Sequence, residues 1–314
     1  MHQPRGHVRN GQRFFGYIPD KPRVRMARAH INSLMAHFGS QAIPEAGDLS
    51  AFRSPVLDQG LSSACIGHGS SQLNDTALRA AGIAVPWDLN GVKCNSSPYH
   101  VYGNTRVEEL QSSTDPLQDT GAMPSDIIVA LAKYGARGMA LTPGLVNGLT
   151  PDGRNSDIWT SEDVFDQPGV AANVNVKPDQ QDEEEGVANL IAGEYSISVG
   201  QSGAGGTDDQ MAQVISIVKR PVGVGLFVDS AFIQWTPDQG PIDTINMQDP
   251  QGGGHWVCVD SYTTMTVGGV TQRVYSVTNS WSQAWGAGGV GLITAHALAT
   301  SMSDCIAWTV RLAA

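Results

Sequence analysis

At 314 residues, with 41% hydrophobic and 16% charged side chains, the chain can bury the core of one large domain or two ordinary ones, which excludes the disordered class. No apolar run approaches the ~20 residues that span a bilayer, and a net charge of −11 argues against general nucleic-acid binding. The charge is uneven: residues 1–38 hold seven basic side chains against one acidic, a net +6, which leaves −17 for the remainder.

In chain order, residues 1–45 read as a basic arm with an unusual apolar set, Phe14, Phe15, Tyr17 and Ile18. The arm has no apolar segment of secretory type, so the expected location is cytoplasmic, with virion association or a signal-less export route as the other options. Within it, RVRMARAHINSLMAHF places Met26, Ala29, Ile31, Leu34 and Phe38 at helical spacing and predicts a short helix. SSQLNDTALRAAGI predicts a helix stopped by Gly82. PSDIIVALAKYGA predicts a stronger one, with Pro124 and Ser125 at its start, Gly135 at its end, and Ile127, Ile128, Leu131 and Tyr134 on one face.

Residues 141–210 read as loop-rich, with one helix over DQQDEEEGVANLIAG whose acidic run is a solvated face. GQSGAGG at 200–206 misses the nucleophile-elbow pattern at Ala204 and lacks a phosphate-loop lysine, so it reads as a loop. After residue 210 come short β-rich runs: PVGVGLFVD, HWVCVDSYT, RVYSVTNSW, VGLITA and IAWTVRL. Helices first and strands later predict an α+β protein. The expected organisation is an arm over 1–45, a helical lobe with a loop-rich insertion over 46–210, and a β-rich lobe over 211–314.

The four cysteines, Cys65, Cys94, Cys258 and Cys305, form no CxxC pair and have no histidine at zinc-ligand spacing. A structural zinc and a disulfide framework are therefore not expected; a single disulfide through Cys94 stays open. Cys258 and Cys305 read as core thiols.

Cys65 stands where the turn DQGLSSA meets a helical stretch. A thiol attacks well only as a thiolate, and a helix N-terminus or a nearby imidazolium favours that form. Gln59 carries a side-chain amide that could hold the oxyanion formed on attack. His68, three residues along the helix, reads as an ordinary helix-face residue, because that spacing does not aim an imidazole back at the thiol. GGGHWVCVDSY offers His255 behind three glycines, and VTNSWSQAWGAGGVGLI offers Asn279 with two tryptophans to shield a hydrogen bond from water.

These three stretches, in this order, resemble the papain-like cysteine peptidases. The spacing from Gln59 to Cys65 and the run NSWSQAWGAGGVGLI carry the likeness. GYIPDKP, SPYHVYGNTRVEE, DTGAMPSDIIVALAKYGA and RPVGVGLFVDSAF are similar to segments of that family's bacterial xylellain-like branch. The resemblance implies a two-lobed papain-like fold, with a mainly helical N-terminal lobe and an antiparallel, β-barrel-like C-terminal lobe. It implies Cys65 as nucleophile, His255 as base and acid, Asn279 as the residue that orients the ring, and Gln59 in the oxyanion hole. It further implies that Gly121, Met123, Gly254, Trp256 and Trp281 line the substrate cleft, with Trp256 narrowing a pocket, and that the N-terminal segment lies across or near the cleft.

The departures are specific. Ser62 replaces a disulfide-forming cysteine, and Ile66 replaces the aromatic after the nucleophile. His255 lies 190 residues after Cys65, where the family has about 130–150, so insertions are expected in the middle of the chain. The implied protein is a monomeric endopeptidase acting on a peptide or protein, with no cofactor, no metal, and no nucleic-acid or membrane partner. A peptidoglycan-type amidase or transpeptidase, or a catalytically silent cleft-binding relative, stand as the alternatives.

Overall fold

A computed structural model describes residues 16–20, 31–39, 41–60, 62–88, 91–110, 119–138, 191–197 and 206–310. The basic residues of 1–15 and 21–30, the stretch 139–190 and most of GQSGAGG lie outside the described residues.

The helical part is built on α2 (Cys65–Ala80), α3 (Pro98–Leu110) and α4 (Pro124–Lys133), after a short α1 (Ile31–Met35). Helix α2 is buried from Cys65 to Leu78, because it lies between the sheet and the other helices. Helix α3 was not evident in the sequence. It is buried from Val101 to Val107, so it shows no polar stripe to betray its period. The α4 reading holds, with Pro124 in its first turn and Ile127, Ile128 and Leu131 buried.

The sheet comprises β1 (Ala46–Asp48), β2 (Ile191–Ser196), β3 (Val222–Val228), β4 (Gly253–Val267), β5 (Val270–Thr278), β6 (Val290–Thr294) and β7 (Met302–Val310). Its order is β2-β7-β3-β4-β5-β6, with β1 also on β4, and every ladder is antiparallel. Among the described residues the sheet is open, which corrects the barrel expectation.

One further expectation is corrected. Ile191–Ser196 at the end of the predicted helix is a strand, because it pairs with β7 rather than coiling on itself. Strands β1 and β2 belong to the sheet, and Met211 and Ala212 of α5 (Thr207–Gln213) pack in the sheet-side core with Ile31 and Leu34 of the arm. A second core, with Ile66, Leu73, Tyr102, Ile127 and Leu131, gathers the helices and reaches Trp256, Cys258, Ile306 and Trp308 on the sheet. All four cysteines are buried.

Candidate active site

Cys65 is the first residue of α2, so the unsatisfied N–H groups of that helix end surround its thiol. The preceding turn is held by polar contacts rather than by apolar packing. The Gln59 amide nitrogen donates to the Ser62 carbonyl at 2.9 Å, and the Ser62 hydroxyl donates to the Gln59 carbonyl at 2.7 Å. Ser62 thus ties the turn where a disulfide would otherwise be expected. Asp119 accepts from the Ser63 N–H at 2.8 Å and from the Tyr102 hydroxyl at 2.9 Å, and Tyr102 accepts from the Gly121 N–H.

The sheet side presents His255 near the start of β4, opposite Leu226 on β3. Asn279 follows the last residue of β5. Asn279 Oδ1 accepts from His255 Nε2 at 2.7 Å and from the Ser280 N–H at 2.7 Å. The backbone donor identifies that atom as the oxygen, so Nε2 carries the proton and Nδ1 is the basic nitrogen of the neutral ring. Trp281 stacks on the imidazole with centroids 4.4 Å apart, and Phe232 meets it edge-on. Both rings keep water from the His255–Asn279 bond.

The halves are joined by a backbone bridge. Asp58 pairs with Trp281, the Gln59 N–H donates to the Ser280 carbonyl, and the Ser282 N–H donates to the Leu57 carbonyl. The Ser280 hydroxyl also donates to Gln59 Oε1 at 2.6 Å, which turns the amide NH₂ of Gln59 toward the nucleophile turn. The Cys65 sulfur accepts from the backbone of Trp256, the residue after His255. The structure therefore brings Gln59, Cys65, His255 and Asn279 into one buried cluster.

The arm enters this cluster. Residues 16–20 run between Gly121–Ala122 and Gly254: the Ala122 N–H donates to the Gly16 carbonyl at 2.8 Å, the Ile18 N–H to the Ala122 carbonyl at 2.9 Å, and the Tyr17 N–H reaches the Gly254 carbonyl. Gly16 lies against the nucleophile turn so closely that a Cβ there would stand 1.4 Å from the Ser63 carbonyl oxygen. With the segment in place, burial pushes the Cys65 thiol up to about 12, although backbone hydrogen bonds from Gly16, Trp256 and Ile66 pull the other way.

The remaining expected site residues divide. Gly121 and Gly254 border the cleft segment, and Trp281 shields the histidine. Met123 precedes α4 and is half-buried, while its neighbour Ala122 makes the backbone pairing. Trp256 borders the ring of Tyr17, with centroids 6.0 Å apart. Its indole is fully buried as a wedge between sheet and α2, close enough that a Cβ at Gly69 or Gly223 would touch it at 2.7 or 2.4 Å. It lies on the opposite face of β4 from His255, by strand alternation. His68 is buried with Nδ1 on the Ala64 carbonyl, and burial holds it down to about 4, so it is a neutral structural group.

Sequence reasoning did not single out Ser280, Asp119, Ala122 or Asp304. Ser280 sits inside the run that marked Asn279, so its adjacency was a usable signal. Ala122 and Asp304 meet the arm across more than 100 residues of chain, and Asp119 joins Ser63, 56 residues away, to Tyr102, 17 residues away.

No protein-family profile matches the chain, and no curated protein matches it by sequence. Solved structures do. Xylellain, a cysteine protease from Xylella fastidiosa, superposes with a TM-score of 0.64 at 21% identity, over 98% of this chain and 100% of its own. The chain has a papain-like fold. Digestive procathepsin L2 from the larval midgut of Tenebrio molitor gives a TM-score of 0.62 at 16% identity, over 94% of this chain and 77% of its own. Procathepsin B S9 from Trypanosoma congolense gives 0.56 at 13%, over 92% and 88%. In this papain-like fold Cys65 opens α2 and hydrogen-bonds to the backbone of Trp256, the residue after His255.

Proposed function

We propose that the chain is a cysteine endopeptidase held in check by its own residues 16–20. The observation that carries the reading is the His255 Nε2–Asn279 Oδ1 bond at 2.7 Å, made beside a thiol that opens a helix. That arrangement supplies a base of defined tautomer, a residue to hold it, and a nucleophile whose thiolate the helix end favours.

His255 Nδ1 takes the Cys65 proton, and the thiolate attacks the peptide carbonyl carbon. The oxyanion is held by the Cys65 N–H and by the Gln59 amide, whose other N–H is on Ser62. The imidazolium gives its proton to the leaving amine as the C–N bond breaks, leaving a thioester. Water, deprotonated by His255, then attacks the thioester and releases the acid and the thiol. Asn279 keeps the imidazole in place through both transfers, and Trp281 keeps the pair dry.

The segment supports the autoinhibitory part of the reading by its direction. It pairs with Ala122 in parallel sense, and the Gly16 backbone hydrogen-bonds to the Cys65 sulfur. The positive arm and the negative body add weak attraction that salt screens.

The test uses the full chain with Gly16→Ala, whose new Cβ collides with the Ser63 carbonyl and dislodges the segment. This variant is expected to cleave peptides at least about tenfold more efficiently than the parent, mainly through KM. A peptidyl epoxide is expected to label Cys65 and to spare Cys94, Cys258 and Cys305. Equal labelling of all four cysteines defeats the nucleophile assignment, and unchanged kinetics defeat autoinhibition.

A further inference from the structure

Gly16 is sandwiched between two walls: the turn that carries Cys65 and the loop that leads into α4. A Cβ on Gly16 would stand 1.4 Å from the Ser63 carbonyl oxygen, and a Cβ on Gly121 would stand 2.3 Å from the Gly16 carbonyl oxygen. The slot beside the sulfur is therefore one backbone wide. A shift of either wall changes what can lie against the thiol.

One carboxylate joins the two walls. Asp119 Oδ2 accepts from the N–H of Ser63, two residues before Cys65, at 2.8 Å. Its Oδ1 accepts from the Tyr102 hydroxyl at 2.9 Å, and the Tyr102 oxygen accepts from the Gly121 N–H at 3.0 Å. Tyr102 is fully buried on α3, and a Cβ on Gly67 of α2 would stand 2.7 Å from its own Cβ, so the ring has no room to swing. Arg106, one turn further along α3, donates to the Gly121 carbonyl at 2.7 Å. Gly121 is thus pinned to α3 at both its N–H and its carbonyl, with a φ of +79° that suits glycine. The turn before Cys65 is pinned to the same helix through the carboxylate.

We infer that Asp119 is a positioning residue for Cys65: its carboxylate braces the turn that carries the thiol against the wall that carries Gly121 and Ala122. The inference rests on the peptidase reading, because it takes Cys65 as the nucleophile. It adds to that reading a residue outside Gln59, Cys65, His255 and Asn279 on which the reaction depends.

The brace carries a charge, and the charge has a consequence. Burial is the main cause that raises the Cys65 thiol, and the Asp119 carboxylate adds to it. Around the brace α3 presents Tyr102 and Arg106, α2 presents Cys65, and β4 presents the Trp256 backbone to the sulfur, with His255 next to it in the chain. Burial, followed by the Asp119 charge, pushes Tyr102 well above its usual range, so its hydroxyl stays a neutral donor.

Two variants separate the link from its charge, each in the full chain carrying Gly16→Ala. Asp119→Asn keeps the shape and one acceptor but removes the charge. Tyr102→Phe keeps the ring and the charge but removes the link to Gly121. A peptidyl epoxide reads position: its maximal rate of Cys65 inactivation is expected to fall about tenfold in both variants, with its binding changed less. Iodoacetamide reads ionisation: the pH of half-maximal Cys65 alkylation is expected to move down by about 0.5 with Asp119→Asn and to stay in place with Tyr102→Phe. A purely structural role would lower the unfolding midpoint and move neither reading per folded chain. An inactivation rate within about twofold of the background in either variant, or an alkylation limb that Asp119→Asn leaves in place, overturns the inference.

The iodoacetamide reading needs no peptide cleavage, which separates this inference from the peptidase reading. A limb that moves in a chain that neither cuts peptides nor takes up the epoxide leaves the brace standing and removes the peptidase reading alone. An unmoved limb overturns the brace whether or not peptides are cut.

Discussion

His255 stands on a strand paired on both of its long sides, under a stack of Trp281, Phe232 and Trp285; Cys65 stands at the end of a turn tied by Ser62, Gln59 and Asp119. The sheet half of the cleft is therefore positioned by ladder register and by aromatic volume. The helical half is positioned by a few buried hydrogen bonds, each of which leaves a stranded group when broken. Loss of volume should damage the first, and loss of one polar atom the second.

The largest expected effect compares the chemistry of the two sheet-side residues. His255→Ala removes the base and the acid, and is expected to lower kcat by on the order of 10⁴-fold or more. Asn279→Ala removes only the orientation of the ring and is expected to retain a measurable rate, roughly 10²-fold down. Steady-state kinetics on the Gly16→Ala background check both. Equal losses would mean that the 2.7 Å bond does not serve the ring.

Next comes volume. Phe232 is fully buried and touches the rings of His255, Trp281 and Trp285. Phe232→Ala is expected to cost about 3–5 kcal/mol of stability, read by denaturant unfolding. It is also expected to slow turnover, because the shield over His255 goes with it. A small loss would show that the sheet half relies on its ladder alone.

The matching test in the helical half is polar. Asp119→Ala strands the Ser63 N–H and the Tyr102 hydroxyl, and is expected to cost about 1–3 kcal/mol. Asp119→Leu, which restores bulk but no acceptor, is expected to be no better. Rescue by leucine would reverse the contrast between the halves.

The smallest expected effect is on pH. With residues 16–20 in place, burial raises the Cys65 thiol from 9.0 to about 12, so a state in which the thiol is less buried is expected to give up its proton more readily. A raised value contributes to the covered state in full below about pH 9, and that contribution fades as pH rises toward 12. The rate advantage of Gly16→Ala over the parent is therefore expected to shrink by a few-fold between about pH 8 and 10. An advantage that grows over that range would contradict the covered-thiol arrangement.

Chain-local features were open to reading from the sequence. The turn before Cys65, the start and stop of α4, the β-rich tail and the run after Asn279 each depend on neighbours a few residues apart, and the residue types there state their own geometry. Gln59, Cys65, His255 and Asn279 stood out for the same reason, as short motifs whose chemistry is coherent in order, and the structure joins His255 to Asn279 and ties Gln59 to the turn before Cys65. What the sequence could not show is which face a residue meets across the fold. Strand alternation and the packing of α2 put the indole of Trp256 into a wedge between sheet and α2. Pairing with β7 made a strand of Ile191–Ser196. Tyr17 reaches Asp304 across 287 residues of chain, a separation at which no local pattern constrains either partner. Only the docking of the arm brought the Tyr17 hydroxyl to that buried carboxylate.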